Sequence, residues 1–137
     1  MITRRSRARE VALQLLYQHD QNARSPRSAI ETFARQRLKD PAVVPFCLAL
    51  YDGVVNQTAE IDRRIGAAAE NWKVSRMAVV DRNALRLGAY ELLFTPETPA
   101  GVVLDEAIEL ARRYGSADSP AFVNGVLDKL RQAAAAT

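Results

Sequence analysis

From Met77 to Phe94 the chain is apolar around most of a helical circumference, interrupted by Asp81, Arg82, Asn83, Arg86 and Glu91. A helix of that kind cannot rest on a surface; other elements have to enclose it. The rest of the sequence supplies the cover. Apolar residues recur at three- and four-residue spacings along most of the chain, and no segment alternates with the period of a strand. The pattern predicts an all-α fold, a compact helical domain of about six or seven helices.

Caps and breakers place the boundaries. A first helix starts at Thr3 or Ser6, either able to cap, and runs to about Asp20 with Ala8, Val11, Ala12, Leu15 and Leu16 on its apolar face. Ser25-Pro26 supplies an N-cap and a first-turn proline for a short second helix, with Ile30, Phe33, Ala34 and Leu38 inward. Lys39-Asp40-Pro41 breaks it. A long third helix is expected from near Pro45, carrying Phe46, Leu50, Val54, Ile61 and Ile65 and fading by Asn71. Trp72 then reads as a packing anchor over a helix junction. Thr95 to Pro99 ends the central helix, and the next one buries Val103, Ala107, Ile108 and Ala111 before closing at Gly115, a residue suited to the C′ position. Ser119-Pro120 repeats the cap-plus-proline signal and opens a last helix with Val123, Val126, Leu127 and Leu130 inward. Residues 1–132 are expected to form a single domain, and 133–137 a tail with little to pack that frays.

Composition excludes several function classes. Cys47 is the only cysteine, which rules out an internal disulfide or a cysteine-based zinc site, and its apolar neighbours predict a buried thiol. His19 is the only histidine, so a Ser-His-Asp or Cys-His arrangement would have to be built on it; its place near the end of the first helix suits a capping role better. The carboxylates are scattered, and there is no glycine-rich phosphate loop. The reading is therefore of a binding protein, not an enzyme, with no cofactor and no metal. No run reaches the roughly 20 apolar residues that span a bilayer, and the start does not read as a secretory signal, so a cytoplasmic protein with no membrane contact is expected.

Net charge is +3, too little to identify a polyanion binder unaided, but its distribution is uneven. Up to Arg27 there are six arginines against two acids, Glu10 and Asp20. Arg4, Arg5, Arg7 and Arg9 crowd the start of the first helix, where the dipole and unpaired N–H groups already make the end positive. A stability-optimised helix would open with acids. The simplest reading is that a nucleic acid supplies the missing negative charge. The four side chains cannot share one helix face, which suggests a flexible or fraying arm that wraps phosphates. Phe122, in the first turn of the last helix beside Asp118, Ser119 and Asn124, lies at the rim of the core stripe. There it is placed either to close the helix end or to stack on an unpaired base. Tyr17 carries the same ambiguity.

Three blocks go beyond composition: Arg4 to Asp20 (RRSRAREVALQLLYQHD), Arg76 to Leu92 (RMAVVDRNALRLGAYEL) and Leu104 to Leu130, which contains FVNGVLDKL. Together, in order and spacing, they resemble the NusB family of bacterial transcription antitermination factors. The resemblance implies two perpendicular three-helix bundles. It also implies pairing with NusE, a small-subunit ribosomal protein, and joint binding of the single-stranded boxA element of nascent ribosomal RNA. With other Nus factors such a complex lets RNA polymerase read through terminators. By matching positions, Arg4, Arg5, Arg7 and Arg9 would form the RNA-binding arm, with Tyr17, Phe122 and Asn124 along the RNA path. Asp81 and Asp118 match positions tied to the NusE-facing surface, and Ser75 stands where relatives carry an acid. The resemblance leaves a homodimer open, which would cover the arm. Three alternatives remain. One is the NusB-like domain of a ribosomal RNA cytosine methyltransferase, disfavoured because the chain stops at Thr137; the others are a helical scaffold that binds only protein and a nonspecific DNA binder.

Overall fold

The computed structural model describes residues 3–136. Among them are seven α-helices and no strand: α1 (Arg4–Gln21), α2 (Arg27–Arg37), α3 (Val44–Asn56), α4 (Thr58–Ala69), α5 (Val79–Phe94), α6 (Ala100–Tyr114) and α7 (Ser119–Ala135). Two 3-10 turns, Pro41–Val43 and Val74–Arg76, precede α3 and α5. The expected enclosure of the central helix is what forms: α5 packs on α1, α3, α4, α6 and α7. Its Ala84, Leu85, Leu87 and Ala89 are buried, and they share one core with Leu15 of α1, Ile61 and Ile65 of α4 and Leu127 of α7. The helices sort into a group of three, α1 to α3, and a group of four, α4 to α7, joined where α1 and α3 lean on α5.

The expected single third helix is two. Its apolar repeat skips from Val54 to Ile61, and the missing step falls on Gln57 and Thr58. There the Thr58 hydroxyl donates to the carbonyls of Val54 at 2.7 Å and Val55 at 3.1 Å, competing with the helical ladder. The chain turns at Gln57 and restarts as α4.

Other boundaries also move. Pro26 and Asp118, not Ser25 and Ser119, occupy the N-cap positions of α2 and α7. Ser119 is instead buried, its Oγ accepting the Ser116 N–H at 3.0 Å. Gly115 does close α6, but with extended backbone at φ −99° and not in a left-handed C′ conformation. Its glycine is explained by space, since a Cβ there would lie 2.5 Å from Ser119 Oγ and 2.7 Å from the Ala111 carbonyl. The α7 helix continues through Ala133 to Ala135, so the segment expected to fray is helical up to that point.

At the end of α4, Glu70 has φ 55° and ψ −87°, the one positive φ among the described non-glycine residues. An L side chain is strained there. Trp72, expected as a packing anchor over a helix junction, meets Phe122 of α7 edge to face with ring centroids 5.9 Å apart but is 58% exposed.

Candidate nucleic-acid interface

Thr3 caps α1 by accepting the Ser6 N–H at 3.0 Å, so the helix is formed from Arg4 onward and the arginines are not a flexible arm. Each then meets a different fate. Arg4 is 75% exposed at its side chain and donates to Asp40 at 2.7 Å. The Arg5 guanidinium lies over the Phe46 ring, 4.5 Å from its centroid. Arg7 pairs with Glu10 at 3.1 Å.

Arg9 contradicts its assignment outright. It is buried, with Nε donating to Glu91 Oε1 at 2.7 Å and Nη2 to Oε2 at 2.8 Å, and it lies 5.2 Å from the Phe46 centroid. Burial disfavours its charge, but the bond to Glu91 and the charges of Glu91 and Glu106 outweigh that and raise its pKa. No phosphate can reach it. The fold itself thus supplies part of the missing negative charge, because tertiary contacts bring Asp40, Glu91 and Glu106 to the basic helix start.

The two acids of α1 serve the fold as well. Glu10 is buried and accepts from Arg7, from Arg113 at 3.1 Å and from the Tyr114 hydroxyl at 2.9 Å, tying α1 to α6. Asp20 accepts from Arg82 at 3.2 Å and Asn83 at 2.9 Å, tying α1 to α5. Burial raises the Asp20 pKa, but the bonds from Asn83 and Arg82 and the charges of Arg82 and Arg86 hold it below the ordinary range.

What the tertiary structure adds is a basic cavity of about 320 Å³ between the start of α1 and the end of α2. Arg4, Arg7, Arg37 and Lys39 line it, with Asp40 the one acid in its wall. Neither Arg37 nor Lys39 stood out in the sequence as a ligand contact; Lys39 read only as part of the Lys39-Asp40-Pro41 breaker. Arg37 is steadied by the Phe33 ring, 4.6 Å from its centroid, and Arg37 and Lys39 are both exposed. Asp40 is held by the Ala42 N–H and by Arg4, which lower its pKa and keep it anionic.

The aromatic candidates separate. Phe122 is half-buried at the start of α7 against Trp72, and Asn124 is exposed on the same helix. Asp118 is exposed just before it. Tyr17 lies elsewhere, in a largely apolar cavity of about 370 Å³ with Leu13, Phe33, Val79, Val80 and Tyr114. That cavity adjoins the first turn of α5, which carries Asp81. Asp81 Oδ1 is buried without a hydrogen-bond partner among the described residues. Ser75 is exposed on the turn before α5.

Comparison with known proteins gives a consistent result. The model of the NusB family matches residues 6–132. The transcription antitermination protein NusB of Sorangium cellulosum is 47% identical over 93% of this chain and 91% of its own length. That of Desulfatibacillum aliphaticivorans is 42% identical, covering 93% and 89%. Among solved structures, NusB of T. maritima superposes with a TM-score of 0.83 at 36% identity, covering 96% of this chain and 93% of that one. A chain from a crystal structure of antitermination factors NusB and NusE with double-stranded RNA gives a TM-score of 0.85 at 30% identity, covering 97% and 99%.

Proposed function

The chain belongs to the NusB family, and from that premise we propose that it is a transcription antitermination factor that binds the single-stranded boxA element of ribosomal RNA transcripts together with NusE. It acts in the cytoplasm with RNA polymerase and other Nus factors. The observation that carries the RNA reading is the basic cavity, where four cations from two helices and a connecting turn face one carboxylate. Arg5 extends that surface along α1. RNA phosphates displace Asp40 from Arg4, while Phe122 stacks on an unpaired base with Asn124 beside it. NusE covers the apolar cavity with Tyr17, Asp81 and the start of α5, and reaches Asp118 at the α6–α7 turn, one helical turn before Phe122. This reading moves Tyr17 from the RNA path to the protein face and removes Arg9 from the RNA contacts. A homodimer over the basic surface would compete with RNA as protein concentration rises.

The test is binding of a labelled single-stranded boxA RNA, alone and with NusE, across a salt series and against scrambled and duplex RNA. Three to five phosphate contacts on a single strand give a log–log salt slope of about −2 to −3.5. Tighter, sequence-selective binding with NusE is expected. Equal weak binding to every RNA, unmoved by NusE, would refute the proposal and favour a protein-only scaffold.

A further inference from the structure

We propose that Trp72 is a second base-stacking residue, extending the RNA path from Phe122 onto the Val74–Arg76 turn. The inference rests on the RNA-binding reading above and adds to it a residue and a direction. Trp72 is the most exposed of the large hydrophobic side chains among the described residues. Its edge-to-face contact with Phe122 leaves ring surface open to solvent, at the rim of the core.

Two features of the surroundings select nucleic acid over an apolar partner. Lys73 and Arg76 follow the ring within four residues, are both exposed, and have no acidic partner among the described residues. The nearest acid in sequence, Glu70, is already taken by Lys129 at 2.8 Å. A tryptophan in contact with a phenylalanine and followed by two unpaired cations is a combination that suits a single strand: stacking is tolerant of base identity, and cations track the backbone.

Main-chain hydrogen bonds fix the segment that carries the ring. The Trp72 N–H donates to the Ala69 carbonyl at 3.3 Å, and the Arg76 N–H to the Lys73 carbonyl at 3.0 Å. These bonds fix the short connection between α4 and α5, and the Glu70 reversal turns it toward α7. Tryptophan has only two side-chain torsions to restrict, so ordering it on a base loses little entropy. Two adjacent stacking residues would read two consecutive unpaired bases, with the strand running from the start of α7 toward Lys73 and Arg76.

Trp72 is the only tryptophan in the chain, so its fluorescence reports directly on the site. The protein with NusE is titrated with a single-stranded boxA RNA of roughly twelve nucleotides, within the usual span of such sites, and with the same RNA annealed to its complement. Quenching of Trp72 by the single strand, at the same midpoint as a label on the RNA, is expected, with little quenching by the duplex. Trp72→Ala should weaken single-strand binding by about five- to hundred-fold, and Trp72→Phe by much less. Melting of both variants, followed by circular dichroism, checks that the fold is kept. If the label reports binding while Trp72 emission is unmoved and Trp72→Ala binds normally, the inference is overturned and the RNA-binding reading survives. If the unaltered protein binds no single-stranded RNA even with NusE, both fall together.

Discussion

Replacing Arg9 with methionine should cost the fold about 3–5 kcal/mol while leaving the RNA affinity of the folded protein unchanged. Arg9 and Glu91 side chains are 4% and 3% exposed and share two hydrogen bonds, so removing the guanidinium leaves a carboxylate in the core without its counter-ion. The Glu106 carboxylate, 3.7 Å from Arg9, loses less, because it keeps the Ser6 hydroxyl at 2.6 Å and some solvent. For a chain of 137 residues the unfolding entropy is about 0.3 kcal/mol/K, so the melting temperature should fall by about 10–17 °C. Removing both partners, Arg9→Met with Glu91→Leu, should recover most of that loss, since a buried pair contributes little over packed apolar groups. Thermal melts of Arg9→Met, Glu91→Leu and the double variant beside the parent measure the coupling, and salt-dependent RNA titration below the transition measures the interface. A single variant that melts within about 2 °C of the parent but binds RNA with a salt slope shallower by about 0.7 would refute this reasoning. Arg9 would then be a phosphate contact after all.

Gly88→Ala should destabilise by about 1–3 kcal/mol in urea unfolding, although alanine is the better helix former by about 1 kcal/mol. Its Cβ would come 2.6 Å from Cδ1 of Leu127, a side chain enclosed in the core; a more stable variant would mean that α5 and α7 are not packed this tightly. Asp20 has its pKa lowered in the folded state, so its contribution is complete above the ordinary value of 3.8 and lost as pH falls through the folded value. Asp20→Asn should therefore flatten the decline of the urea midpoint below about pH 4, and an unchanged acid limb would count against the α1–α5 link. Burial pushes the Cys47 thiol up to about 12, so a thiol reagent at pH 8 should label it only on unfolding; rapid labelling of the native protein would contradict its burial. Glu70→Gly should leave stability equal or raised, and Glu70→Val should lower it, because only glycine takes the φ of 55° without strain. Equal loss in both would place the importance of Glu70 in its bond to Lys129.

Helix identity was legible from the chain because the 3.6-residue repeat is a property of consecutive residues. The enclosed position of α5 followed from its apolar circumference, and the buried thiol from its neighbours. The basic surface was half legible. A run such as Arg4, Arg5, Arg7 and Arg9 is visible in one dimension, but the carboxylates that answer it come from Asp40, Glu91 and Glu106, which are far away in sequence. Only the packing of α1 on α5 decides that Arg9 is structural. The same holds for what was missed. Arg37 and Lys39 join Arg4 and Arg7 only because α2 ends beside the start of α1. Trp72 meets Phe122 only because the chain reverses at Glu70. Local periodicity and capping chemistry set which segments become helices; which charges are neutralised inside and which remain for a ligand depends on distances between segments, and those exist only once the chain has folded.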